Sequence, residues 1–114
     1  MMIPLRYLNP SFAVSAQLAV DAVPSVLAQG FASLMNNRPD GEGGSAQPLS
    51  RDIEQAALAA GLHYVYLPVV AGAITPEQAT AMRKALETAP GPVLAFCRSG
   101  IRSAQLYTLA QAAA

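Results

Sequence analysis

The chain contains one cysteine, Cys97, in the stretch PVLAFCRSGIRSAQL (92–106), where two arginines, a glycine and two serines fill five of the next six positions. An apolar run, a turn-forming stretch and a helix-forming run, in that order, put the cysteine at the end of a strand and the following residues at the mouth of a helix. The N–H groups of such a loop converge on one point, and the helix N-terminus adds the positive end of its dipole, which suits phosphate, sulfate or a thiolate. Gly100 supplies the positive φ or close backbone approach that the loop needs. Surroundings of this kind lower a thiol pKa from about 8.5 to roughly 3.5–7.5. The helix end is worth only about 0.3–1 kcal/mol, so most of the shift is assigned to direct hydrogen bonds, with Arg98 and Arg102 adding positive charge. A lone cysteine is most simply a buried structural thiol, but two guanidinium groups within five residues have no use beside an inert one. Cys97 is therefore read as a nucleophile that needs no paired histidine, and Arg98, Ser99, Gly100, Ile101, Arg102 and Ser103 as its anion-binding loop.

Few other residues offer chemistry. Asp40 and Glu42, in NRPDGEGG, are within reach of a neighbouring strand end, Asp40 as a displaced general acid; the plainer expectation is a solvated turn with Arg38 tied to a nearby carboxylate. Arg38, Asp40 and Glu42 are thus placed on the wall of the site. His63 has no second histidine or cysteine nearby, so no metal pair and no cofactor are expected. Tyr64 and Tyr66 alternate as strand residues facing one side, as core or site-wall packing.

The elements that must position Cys97 follow from the Gly/Pro punctuation. LRYLN (5–9) and FAVSAQ (12–17) read as strands, and DAVPSVLAQG (21–30) as a helix capped by Asp21 and closed by Gly30. FASLMN (31–36) is a buried strand running into a long loop, 37–48, of a kind that is often functional. LSRDIEQAALAAG (49–61) has Leu49, Ile53, Ala57 and Ala60 on one helical face, and HYVYLPVV (63–70) is a strand. TPEQ opens the next helix (75–89), with Thr75 as cap, Pro76 at the first position and Gln78 completing a capping box. PVLAF (92–96) is a strand covered on both faces, and RSAQLYTLAQAAA (102–114) is its helix. This alternation predicts one three-layer α/β domain over 1–114, with a mainly parallel sheet flanked by helices. NRPDGEGG, VVAGAI and CRSGIR would share the ligand-binding edge of that sheet.

With 114 residues and zero formal net charge, the chain has room for a single core and no long-range field to draw nucleic acid or a membrane surface. No apolar run is long enough to span a bilayer, and the N-terminal MMIPLRYLNPSF lacks the apolar region of a secretory signal, so a cytoplasmic protein is expected. One cysteine allows no internal disulfide and no internal resolving thiol.

CRSGIRS resembles the persulfide-forming loop of rhodanese sulfurtransferases, and FAVSAQL, QGFASLMNNRPDGE and GLHYVYLPV resemble the phosphatase-like domain of beta-lactamase-hydrolase-like proteins, related in fold to dual-specificity and protein tyrosine phosphatases. The resemblance implies a phosphatase-like fold. Three departures bear on the chemistry. Dual-specificity phosphatases carry five residues between Cys and Arg where this chain has four, they place His where this chain has Phe96, and they use an acid on a neighbouring loop where VVAGAITP has none. Breaking an S–S or S–sulfite bond needs no such acid. The resemblance therefore implies sulfur transfer: Cys97 attacks the outer sulfur of a small anionic donor, thiosulfate or glutathione persulfide. The N–H groups of residues 98–102 hold the resulting persulfide, which passes to cyanide, sulfite or a thiol. Arg98 and Arg102 would orient the donor, and Ser99 and Ser103 would donate hydrogen bonds. The alternatives are a cysteine-dependent phosphatase and a non-catalytic persulfide carrier for a partner persulfide dioxygenase.

Overall fold

A computed structural model describes residues 2–113. Five strands, β1 (Arg6–Asn9), β2 (Phe12–Ser15), β3 (Ser33–Asn36), β4 (His63–Tyr66) and β5 (Val93–Phe96), form one sheet in the order β1-β2-β5-β3-β4. β1 runs antiparallel to β2, and the other pairings are parallel. The helices are α1 (Val23–Ala28), α2 (Ser50–Ala60), α3 (Pro76–Thr88) and α4 (Ile101–Ala112). This is the mainly parallel, three-layer α/β arrangement that the alternation predicts.

β5 lies in the middle of the sheet, and all four of its residues are buried. Leu94 and Phe96 join a core with Val26 of α1 and Ile53 of α2, whereas Val93 and Ala95 join one with Met82 of α3 and Leu106 of α4. Both faces being covered is why the strand reads as an unbroken apolar run. The same alternation sends Leu34 of β3 to the first core and Met35 to the second. Phe12 of β2 stacks on Tyr107 of α4 with centroids 4.2 Å apart.

Register gathers the site. Ser15, Phe96 and Asn36 pair in one row across β2, β5 and β3, and Asn36 pairs onward with Tyr66. Four chain exits therefore meet at one edge, after Ser15, Asn36, Tyr66 and Phe96. The exit after Ser15 was not among the three loops expected there; the N–H of Gln17 donates to the carbonyl of Arg98 at 3.2 Å, which locks it to the cysteine loop.

Two local expectations are corrected. Asp21 caps no helix: it lies within a 3-10 turn, Val20–Ala22, and α1 begins after it with no side-chain cap. β4 ends at Tyr66 rather than at residue 70, because Pro68 has no N–H to continue a ladder; Leu67 and Val69 instead donate to the carbonyls of Asn36 and Asn37 at 2.9 and 3.0 Å. The first turn of α2 is served from outside, the N–H of Ser50 donating to Asp40 Oδ1 at 2.8 Å. The capping box of α3 forms as expected between Thr75 and Gln78, and Gly61 closes α2 with φ 90°.

Gly100 precedes α4 with φ 92°, and a Cβ there would lie 3.2 Å from the Ser15 carbonyl oxygen. An L-residue pays about 1–2 kcal/mol for such a conformation before any crowding. Gly100→Ala is expected to lower unfolding free energy by about 1–3 kcal/mol in denaturant titrations; a loss below about half a kcal/mol would mean that the loop tolerates a side chain.

Candidate active site

Cys97 follows β5 directly and is 1% exposed. The chain turns over its sulfur and enters α4, so that the N–H of Gly100 donates to Sγ at 3.1 Å. Burial pushes the thiol pKa up. The N–H groups of Ser103 and Ser99, the Ser103 hydroxyl and the Gly100 N–H together outweigh it and hold the thiol below its ordinary value. Hydrogen bonds rather than either arginine are the leading lowering influences, as the loop reading expects.

Arg102 points back across the sheet edge and is 92% buried, being 8% exposed. Its Nη1 donates to Glu42 Oε2 at 2.9 Å and its Nη2 to Glu42 Oε1 at 3.0 Å, a bidentate pair, while Nη1 also donates to the Val69 carbonyl at 3.0 Å. Its Nε–H is buried with no partner among the described residues. Arg38 Nε donates to Glu42 Oε1 at 2.9 Å, and its Nη1 donates to Gln17 Oε1 at 3.2 Å. Between these two guanidinium groups, Arg102 foremost, the Glu42 carboxyl is held below its ordinary 4.5 although burial pushes it up. Gly43 makes room: a Cβ there would lie 2.8 Å from Arg38 Nη2.

Arg38, Glu42, Gly43, Val70, Ala71, Arg98 and Arg102 line a pocket of about 600 Å³. It is formed by the segment after β3, the segment after β4 and the cysteine loop. The segment after β4 contributes Val70 and Ala71 as an apolar wall and no acidic side chain. Among the described residues no cluster of three His, Cys, Asp or Glu side chains is positioned to hold a metal ion.

The sequence profile of the beta-lactamase hydrolase-like protein family, phosphatase-like domain, matches residues 4–114. The chain belongs to that family. It is 38% identical over 105 residues to a beta-lactamase hydrolase-like protein of Agrobacterium fabrum, a match that covers 92% of this chain and 24% of the relative. It thus spans about a quarter of the length of the curated relatives it matches. Among solved structures it is similar to a Neisseria meningitidis protein provisionally described as a phosphatase, at 30% identity and a TM-score of 0.81, covering 89% of this chain and 71% of that one. It also shares its fold with the catalytic domain of the PP-IP phosphatase SIW14 of Saccharomyces cerevisiae, at 16% identity and a TM-score of 0.69, covering 93% of this chain and 65% of that one. The architecture is accordingly that of the protein tyrosine phosphatase-like fold. No described helix is long and apolar enough to cross a membrane.

In this phosphatase-like domain the residues singled out from sequence take distinct places. Cys97, Gly100, Arg102 and Ser103 are buried together, while Arg98 and Ser99 are exposed on the rim and Ile101 is 62% exposed at the first turn of α4. The Ser99 hydroxyl accepts from the Ile101 N–H at 3.4 Å. Arg38 is tied to Glu42, as the turn reading expects, and Glu42 proves to be the partner of Arg102 as well. Asp40 is a correction: its carboxylate is engaged at α2, its N–H donates to the Tyr66 hydroxyl at 2.9 Å, and it is absent from the pocket wall, so it is not a displaced acid. Sequence reasoning missed Asn37, Gln17 and the Val69 carbonyl, which hold the loops together through contacts across the sheet. Asn37 stood beside Arg38 in an asparagine-rich turn, the one signal that marked it.

Two outcomes follow. Alkylation of Cys97 by iodoacetamide is expected to show its inflection below that of an ordinary thiol, because a lowered pKa keeps the thiolate populated at lower pH, and Ser103→Ala is expected to move the inflection up. For Glu42 the lowered carboxyl pKa stabilises the fold above its ordinary 4.5, and that contribution is lost as pH falls through the depressed folded value. Glu42→Gln should therefore unfold more easily than the native chain near neutral pH and converge with it in acid, as read by denaturant melts across that range.

Proposed function

We propose that this domain is a sulfurtransferase that carries sulfane sulfur on Cys97. The observation that carries the reading is the state of the two carboxylates nearest the site. Asp40 is occupied at α2, and Glu42 is held ionised between two guanidinium groups. Neither supplies a proton to a departing alkoxide, which hydrolysis of an alkyl phosphate by this kind of chemistry requires. Sulfite and thiolates depart without one.

The site residues then have defined roles. The buried Nε–H of Arg102, without a partner, is the donor left for an oxyanion, and Arg98 on the rim adds charge where the donor enters. The Cys97 thiolate attacks the outer sulfur of thiosulfate. The Cys–S bond forms as the S–S bond breaks, and sulfite leaves with the bonding pair. The product is a Cys97 persulfide anion, in contact with the same N–H groups. Attack by cyanide on its outer sulfur gives thiocyanate and returns the thiolate, so atoms and charge balance over a ping-pong cycle.

The second reading is a cysteine-dependent phosphatase, and kinship favours it. The family description and the phosphatase neighbours weigh toward phosphoryl transfer more than toward sulfur. Without an acid, that reading is confined to donors whose leaving groups are weak bases, such as aryl phosphates or phosphoanhydrides.

One preparation decides between them. Thiosulfate and cyanide should give thiocyanate, with Cys97→Ser losing at least about 100-fold and Arg102→Lys, which cannot reproduce the bidentate fork, about 10-fold or more. Cys97-dependent release of phosphate from an aryl phosphate without thiocyanate would replace the first reading with the second. Intact mass after thiosulfate alone, showing one added sulfur without turnover, would indicate a carrier.

A further inference from the structure

Thiosulfate is small for the pocket beside the cysteine loop. Its five non-hydrogen atoms, each given the ~30 Å³ of a liquid water, fill roughly 150 Å³ of a cavity of about 600 Å³. The lining is also unbalanced in charge, since Arg38, Arg98 and Arg102 face a single carboxylate, Glu42. One oxyanion at the Arg102 Nε–H leaves a second positive charge unmatched, and donors remain to serve it. Arg38 is only 9% exposed. Its Nε and Nη1 are committed to Glu42 and Gln17, whereas its Nη2 has no hydrogen-bond partner among the described residues. The Arg98 side chain is exposed and forms no ion pair or hydrogen bond among those residues.

Gly43 keeps the space beside Nη2 open. Its φ is −97°, outside the left-handed region that favours glycine, so the backbone does not ask for glycine there. A Cβ at this position would meet Arg38 Nη2 at 2.8 Å and Gln47 Oε1 at 3.2 Å. The missing side chain thus leaves the last free edge of a buried guanidinium uncovered, in a residue that lines the pocket. Arg38 Nε and Arg102 Nη2 both donate to Glu42 Oε1, at 2.9 and 3.0 Å, which sets the two guanidinium groups side by side about one oxygen.

We propose that Arg38 Nη2, with Arg98 on the rim, forms a second anion subsite, and that the pocket takes a small organic ligand with two anionic groups. One group is held at the cysteine loop by Arg102, and the other is a carboxylate held by Arg38, with the atoms between them against Val70 and Ala71. A carboxylate suits the planar donor edge of a guanidinium. The subsite rests on the sulfurtransferase reading only for the chemistry of the first group. Under that reading the donor is an organic sulfane compound bearing a carboxylate, and thiosulfate is a minimal donor that fills one subsite of two. With a thiosulfonate of this class, the Cys97 thiolate attacks the outer sulfur. The Cys–S bond forms as the S–S bond breaks, and a sulfinate leaves with the bonding pair, which gives the same persulfide anion.

Protection of Cys97, the only cysteine, from iodoacetamide measures occupancy with no transfer step. The probes are 4-sulfobenzoate and toluene-4-sulfonate, which carries a methyl group in place of the carboxylate. 4-Sulfobenzoate is expected to protect with an inhibition constant lower by about 10-fold or more. Arg38→Met removes the donor; Gly43→Ala keeps every charge and places a Cβ against Nη2. Each is expected to bring the two constants within about threefold of one another, and Gly43→Ala carries the test alone should Arg38→Met not fold. Equal protection by the two probes in the native chain, no protection by either, or an advantage that survives in either folded variant overturns the proposal. Turnover then separates this subsite from the sulfurtransferase reading. With cyanide, 4-carboxybenzenethiosulfonate is expected to give thiocyanate at a kcat/KM about 10-fold above that of toluene-4-thiosulfonate. Thiocyanate from neither, with the 4-sulfobenzoate advantage intact, supports the subsite and removes the sulfurtransferase reading; thiocyanate from both at equal kcat/KM overturns the subsite and keeps that reading.

Discussion

The bidentate pair between Arg102 and Glu42 holds the working edge of this domain together. A buried guanidinium is costly unless its donors are satisfied, and here two of its nitrogens are satisfied by groups from elsewhere in the chain: Glu42 from the loop after β3 and the Val69 carbonyl from the segment after β4. Satisfying Arg102 therefore requires both segments to be in place beside the first turn of α4. Arg38 adds a second cation to Glu42 and extends the arrangement to Gln17, beyond β2. The pair is better understood as fixing geometry than as adding stability, since ion pairs of this kind contribute little net energy against apolar replacements. What it fixes is the direction of the one guanidinium nitrogen left over, Nε.

That arrangement divides labour between charge and hydrogen bonding. The arginines nearest Cys97 are largely neutralised or on the rim, and the thiolate is stabilised by N–H groups and a hydroxyl delivered by the turn into α4. Hydrogen bonds to an ionised group are short-range and directional. A chain of zero net charge can therefore lower the pKa of one thiol without presenting a basic surface to its surroundings.

The parts legible in the sequence were those specified by neighbours in the chain. The cysteine loop, the capping box at Thr75 and the two-faced burial of β5 each depend on residues within a few positions, and each has the expected form. The parts that were not legible depend on partners brought close only by the sheet. Nothing near Asp40 announced that its carboxylate would serve Ser50, ten residues on, and nothing near Glu42 announced Arg102. Pro68 did mark the end of β4, but the apolar residues around it read as more strand. The cargo proposed for Cys97 lies at a further remove, because N–H groups that converge on one point suit more than one anion and kinship and local chemistry point in different directions.

The connection between Asp40 and α2 bears on how a long loop can be orderly. The segment 37–48 is rich in glycine and would ordinarily carry a large conformational entropy. Gln47 bonds back to Gly43 and Pro39 at 2.7 and 2.9 Å, the Tyr66 hydroxyl holds the Asp40 N–H, and Asp40 in turn supplies the start of α2. The helix start and the loop are thus tied by a hydrogen bond between them. The first turn of α2, remote from the sulfur in the chain, is joined in this way to the loop that supplies Arg38, Glu42 and Gly43 to the pocket.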